Sequence, residues 1–208
     1  MGFLRKKLSS GSLKERILFC YLVFFVLFFG ITIISYYFLP EGILKNKNPL
    51  QDWETSKNTF ISTLQIFFYN QLSVIVVIFG SLFGKKKKKK DINYFSIGYL
   101  AFFTQICING VVLGTWSFSM GTEAVPLISR ITRTFDLLHR AGLWEMSGQL
   151  LITCAAAHIS TVLTNGKNTI TKSFKDIQLS KAEKLVLFTG LVLMLTGAVV
   201  ESIAINAL

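Results

Sequence analysis

Residues 17–39 read ILFCYLVFFVLFFGITIISYYFL, twenty-three consecutive positions without a charged side chain. The hydrocarbon core of a bilayer is about 30 Å thick and a helix rises about 1.5 Å per residue, so about 20 apolar residues cross it. Backbone N–H and C=O groups cannot go unpaired in lipid, which makes the crossing segment a helix. The run follows a basic start of Arg5, Lys6, Lys7, Lys14 and Arg16, as a signal peptide would. It is longer than a signal core and has no A-x-A-like exit, so it is expected to remain as a signal-anchor helix.

Outward from this segment, four more stretches have the same length and apolar character: 60–83, 92–118, 141–163 and 185–208. The fourth of the five spans, 141–163, is the least apolar. The expected fold class is an all-α polytopic membrane helix bundle of about five transmembrane helices. Residues 1–16 form a basic cytoplasmic N-terminus and 17–208 a single transmembrane domain. Composition agrees: 51% of residues are hydrophobic and 16% charged, against about a quarter charged in soluble domains, and the mean hydropathy is +0.53.

The net charge of +11 raises nucleic acid as a partner. The Lys and Arg residues, however, sit between apolar runs and form no stripe interleaved with exposed aromatics, so no nucleic-acid partner is expected. Their distribution sets topology, because cytoplasmic loops carry the excess of Lys and Arg. With the N-terminus inside, sixteen basic residues face the cytoplasm: the five before the first span, the run 85–90, and Lys167, Lys172, Lys175, Lys181 and Lys184. Six face outward: Lys45, Lys47, Lys57, Arg130, Arg133 and Arg140. The C-terminus is then outside. The lysine run serves as a topology-fixing hairpin loop or as a patch for anionic lipid or protein. Within 127–138, Leu127, Ile131, Phe135 and Leu138 recur at helical spacing with Arg130, Arg133 and Asp136 turned elsewhere. That pattern suits a short outer interfacial helix, with Pro126 at its start.

Charged side chains deep in a membrane cost about 2.5–3.5 kcal/mol on insertion scales and find protein or water partners. Glu145 lies four residues from the outer end of the fourth span. Glu201 lies sixteen residues beyond the inner start of the fifth, about 24 Å at the helical rise, so both acids fall at similar depth in the outer half. Asn70, Gln105 and Asn109 are the polar residues available to meet them, the last two at i and i+4 on one helix face. Small residues allow close helix approach: Gly80 and Gly84, Gly110 and Gly114, Gly142, Gly148, and a stripe of Gly190, Gly197, Glu201 and Ala204. The cluster is either a proton-responsive or substrate-contacting cavity, or a hydrogen-bonded core that fixes helix packing.

Nothing in the chain points to catalysis. GxSxG, HExxH, a paired Asp motif and a phosphate-binding glycine loop are absent, and no Cys has a His at its depth. His158 lies toward the cytoplasmic end and His139 in an outer loop, too far from the acids for a metal site. Cys20, Cys107 and Cys154 are odd in number, lie in apolar segments and show no CxxC spacing; they read as small core residues. No catalytic residue, metal or cofactor is expected.

The fourth span opens Gly142-Leu143-Trp144-Glu145-Met146-Ser147-Gly148 and runs into Ala155, Ala156 and Ala157. It resembles the stage II sporulation protein M family of bacterial membrane proteins, whose signature is His-Gly-x-x-Glu entering an alanine- and glycine-rich helix. Phe67-Phe68-Tyr69-Asn70 leading to Gly80 and Gly84 is similar to the family's Asn-then-glycine helix, and Gly197-Ala198-Val199-Val200-Glu201 to its acidic last helix. The resemblance covers roughly 60–208. Ala141 stands where the signature has its His, and His139 comes two residues too early to replace it. The resemblance implies a non-enzymatic multispan protein of the bacterial cytoplasmic membrane. One branch works with peptidoglycan-degrading proteins in spore engulfment. Another, of similar size, serves maturation, secretion or producer immunity of circular bacteriocins. Short outer loops suit a compact partner of a hydrophobic peptide or an ABC transporter; a homo-oligomer is also compatible. The rival classes are an ion- or proton-coupled transporter using the two carboxylates and an intramembrane enzyme. No inverted repeat is evident in five spans.

Overall fold

The computed structural model describes residues 2–45, 47, 56–86, 93–118, 123–166 and 168–207. Helix α1 (Gly2–Leu8) folds back against the long helix α2 (Leu13–Phe38). Phe3 meets Phe19 edge-on at 5.7 Å and Lys7 pairs with Glu15. The basic N-terminus is therefore itself structured. α2 stops at the residue pair before Pro40, where the proline ring disfavours helical geometry.

Helix α3 (Thr59–Ser81) starts on Asn58, whose side chain accepts from the backbone N–H of Phe60 at 3.0 Å and of Ile61 at 3.3 Å. Helix α4 (Gly98–Gly114) is shorter, and α5 (Leu127–Thr134) shorter still. Helix α6 (Gly142–Ala155) is followed by a single 3-10 turn, Ala156–His158. Helix α7 (Lys181–Asn206) begins with a capping box in which Ser180 and Glu183 exchange side-chain and backbone hydrogen bonds. α2, α3 and α7 are long and apolar enough to cross a membrane. Their outer faces are apolar side chains without cover, Leu18, Leu22 and Val26 on α2 and Leu185, Phe188 and Val192 on α7 among them. Exposed apolar area of that extent marks a membrane-facing surface, and the chain is a membrane protein.

The chain is mostly helical, as expected, and four short strands are added to the helices. β1 (Phe83–Lys85) and β2 (Phe95–Ser96) join α3 to α4, and β3 (Val162–Thr164) and β4 (Thr169–Thr171) join α6 to α7. The sheet order is β2-β1-β3-β4. Both hairpins are antiparallel, and β1 pairs with β3 in parallel, Gly84 opposite Leu163. The Ser160 hydroxyl donates to the Ser81 carbonyl at 2.7 Å beside this seam. The chain thus contains two helix–hairpin–helix units, α3-β1-β2-α4 and α6-β3-β4-α7, whose strands are ordered as a two-fold axis along them would order them. No such repeat was expected from the sequence, because three-residue strands leave no periodic signal.

The span limits shift accordingly. The expected 60–83 ends as helix at Ser81 and continues as β1; 92–118 is helical only over Gly98–Gly114; 141–163 is helical only through Ala155. At about 1.5 Å per residue, α4 reaches about 25 Å and α6 about 21 Å. The last helix instead starts earlier than expected, at Lys181. Of the lysine run, Lys87, Lys88, Lys89 and Lys90 lie outside the described residues.

α6 is the central helix, with nine of its fourteen residues buried. Its Leu150, Cys154 and neighbouring Ala157 join Cys20, Phe24 and Phe28 of α2 and Tyr99, Phe102 and Ile106 of α4 in one core. Glycines set the closest approaches. A Cβ on Gly148 would lie 2.5 Å from Met194 Cγ and 2.6 Å from the Gly190 carbonyl oxygen, so α6 and α7 touch backbone to backbone there. Gly110 and Gly114 likewise face α2, and Gly80 faces Gly98. Two expected packing glycines act otherwise. Gly84 lies in β1 against Tyr94, Leu163 and Ser160, and Gly142, at the start of α6, has only Met146 Cε at 3.8 Å.

Candidate functional site: a cavity with a carboxylate floor

At the end of the bundle away from the sheet, a cavity of about 410 Å³ opens between α2, α4, α5, α6 and α7. Its floor is built one turn into α6, where Glu145 donates its backbone N–H to the Ala141 carbonyl at 3.1 Å. Asn70 of α3 donates its side-chain amide to Glu145 Oε1. Gly197 of α7 leaves room for the Glu145 stem, since a Cβ there would come within 2.8 Å of Glu145 Cγ. One turn on, Glu201 reaches the same space. Both carboxylates line the cavity, with Asn109 of α4. Phe28, Leu113, Met146 and Ile205 supply apolar walls.

The structure thus brings Glu145, Glu201, Asn70 and Asn109 to one place. Gln105 is not among them; it lines a separate groove with Ser73 and Thr104 between α3 and α4. Four residues on an α-helix advance about 400°, leaving a 40° offset between Gln105 and Asn109, enough to put them in different grooves. Gln149, one turn deeper than Glu145, donates to Ser73 Oγ at 2.7 Å.

The mouth is basic. Arg133, His139 and Arg140 line it. His139 Nδ1 lies 2.9 Å from Asp136 Oδ1, and this hydrogen bond holds the Asp136 carboxyl below the usual aspartate range. Arg130 departs from the expected interfacial helix: it is the residue α5 buries, while Ile128, Phe135 and Leu138 are exposed. Its guanidinium donates to the carbonyls of Val125 at 2.6 Å and Gly114 at 2.5 Å and to Glu41 Oε1 at 2.5 Å. It also lies over the rings of Tyr36 and Trp116, at 4.7 and 5.3 Å. Trp116 holds φ at 52°, a left-handed backbone unusual for a bulky residue.

A second polar cluster sits at the sheet end. Arg16, fully buried, donates to the Ser10 carbonyl at 2.9 Å and to Glu183 Oε1 at 2.6 Å, and lies 3.0 Å from His158 Nδ1. Arginine has no acceptor, so Nδ1 accepts and the imidazole proton sits on Nε2. This knot ties α2, the turn after α6 and the start of α7 together; the sequence showed Arg16 only as one more basic residue. Cys20 and Cys154 are neighbours across α2 and α6, and all three cysteines are free. Among the described residues no group of three His, Cys, Asp or Glu side chains gathers as a metal site would require.

The lining of the large cavity carries one threonine hydroxyl, Thr134, which donates to the Arg130 carbonyl at 3.0 Å. The arrangement can bind and hold charge of both signs beside apolar surface. Set against protein-family models, curated proteins and solved structures, the chain matches none.

Proposed function

We propose that this chain is a non-enzymatic accessory membrane protein of the stage II sporulation protein M type, serving maturation, secretion or producer immunity of a small hydrophobic peptide such as a circular bacteriocin. The observation that carries the reading is the cavity: apolar walls, two carboxylates below and arginines at the mouth. Such a space suits the binding of a ligand. In this proposal the sheet end, with Arg5, Lys85 and Lys86, faces the cytoplasm, and the cavity opens outward. α4 and α6 complete five crossings, their short helices finished by non-helical backbone that neighbouring elements cover.

Deleting the gene in its host tests the function. Loss of mature peptide from the medium, or new sensitivity of the producer to it, is expected; unchanged peptide and unchanged tolerance would sink the reading. Reporter fusions test the orientation, which fails if an exterior-active reporter works after Lys90 and not after Ala207.

The two carboxylates in one cavity, met by Asn70 and Asn109 from the other helix–hairpin–helix unit, favour one alternative, an ion- or proton-coupled transporter. Proteoliposomes showing gradient-driven proton flux that Glu201→Gln abolishes would support transport over the accessory role.

A further inference from the structure

We propose that the cavity is a receptor for a primary ammonium on an apolar stem, a lysine side chain of an amphipathic peptide, with the ammonium between Glu145 and Glu201 and a nearby peptide carboxylate on Arg133 and Arg140. The inference rests on the proposed peptide-accessory function and names the chemistry its cavity selects.

Three observations converge on this ligand. Glu145 and Glu201 line one cavity between apolar walls, where a cation entering between them would pair their charge. An inorganic cation is poorly served. Asn70 turns its amide N–H, not its oxygen, toward Glu145, whereas Ca²⁺ and Mg²⁺ need about six oxygen ligands. An ammonium, a compact donor of three hydrogen bonds, suits the two acids.

The mouth supplies the second observation. The guanidinium groups of Arg133 and Arg140 have no hydrogen-bond or ion-pair partner among the described residues. In the proposed orientation they lie on the side of the membrane where Arg is scarce. Arg130 has a structural reason to be there, with two carbonyls and Glu41 on its guanidinium; Arg133 and Arg140 have none. Guanidinium groups fit carboxylates in bidentate pairs.

The third is spacing. Glu145 stands one helical turn below Ala141, about 5–6 Å deeper than the mouth, with Leu113 and Met146 in the lining. That depth matches the flexible four-carbon stem of lysine, and the apolar walls match its methylenes. The volume, about 410 Å³, is in the range of small-ligand pockets.

The test uses the full chain in nanodiscs, titrated calorimetrically with hexylamine, hexanol and 6-aminohexanoate against empty nanodiscs. Hexylamine is expected to bind at least about tenfold tighter than hexanol, and Glu201→Gln to remove that preference. 6-Aminohexanoate should gain several-fold over hexylamine, a gain that Arg133→Gln with Arg140→Gln abolishes while hexylamine binding stays. Equal binding of hexylamine and hexanol by the parent protein overturns the inference without any variant. A preference that survives in a folded Glu201→Gln protein overturns it too. Selective amine binding alongside a gene deletion without peptide phenotype upholds the site and sinks only the accessory function.

Discussion

Replacing Arg130 by Met keeps apolar bulk in the pocket beneath α5 and removes every polar contact the guanidinium makes. The carbonyls of Gly114 and Val125 lose their donors, and an unsatisfied buried carbonyl costs about 1–3 kcal/mol. Glu41 is 60% exposed and rehydrates on losing its partner, so that pair contributes about 0–1 kcal/mol. The ring faces of Tyr36 and Trp116 lose a cation worth about 0.5–1 kcal/mol each. Summed, these contributions give an expected loss of about 3–9 kcal/mol.

Equilibrium unfolding of purified protein in mixed micelles, followed by circular dichroism, measures it. Arg130→Lys should fall between parent and Met variant, because one ammonium cannot span three acceptors as a planar fork does. Glu41→Gln should cost under about 1 kcal/mol. If Arg130→Met unfolds within about 1 kcal/mol of the parent, or Glu41→Gln matches it, the backbone carbonyls are not what holds Arg130 in place.

Three further outcomes are expected. Gly148→Ala should destabilise the fold by about 1–3 kcal/mol, and adding Met194→Ala should restore only part, since the Gly190 carbonyl stays 2.6 Å from the new Cβ; full rescue in a melting experiment would contradict the backbone contact. Glu145→Gln should preserve folded yield while Glu145→Ala lowers it, because Gln keeps an acceptor for Asn70; equal yields on size-exclusion chromatography would remove that hydrogen bond from the account. His139→Ala should raise the Asp136 titration midpoint toward the ordinary value near 3.9, as followed by carboxylate NMR, since the His139 hydrogen bond is what depresses it. The stabilisation of this pair is present above the ordinary aspartate value and disappears as pH falls through the depressed one; an unmoved midpoint would refute the assignment.

The long spans and the floor of the cavity were legible in the sequence. Runs of twenty apolar residues need no tertiary context, and counting 1.5 Å per residue from opposite ends put Glu145 and Glu201 at one depth. The glycine stripe of α7 also found its partner, Gly190 against Gly148 and Gly197 against Glu145. The mouth was not legible. The apolar periodicity of 127–138 led to a membrane-surface helix with its arginines turned elsewhere, yet the Gly114 carbonyl and Glu41, with the nearby Val125 carbonyl, outbid that pattern and pulled Arg130 inside. Arg16 was hidden in the same way, counted for topology when its partners His158 and Glu183 lie more than a hundred residues away. The Ser180-Lys181-Ala182-Glu183 capping box was readable and would have started α7 at its observed residue.

The shortness of α6 explains why a cavity exists at all. Its fourteen residues extend about 21 Å, while the flanking α2 and α7 have twenty-six residues each. A central helix shorter than its neighbours leaves the middle of the bundle unfilled at one end. At the other end the hairpins fill the gap, since the turn after α6 runs directly into β3 beside β1. Among the described residues no sheet closes the end where α6 begins, and there the side chains of α2, α4, α5 and α7 form walls around an open centre whose first deep polar group is Glu145. Lengthening α6 outward should therefore close the site without substituting a lining residue. Inserting one helical turn of alanines between Ala141 and Gly142 should abolish binding of hexylamine while thermal unfolding remains cooperative, and retained binding would show that the length of α6 does not shape the cavity.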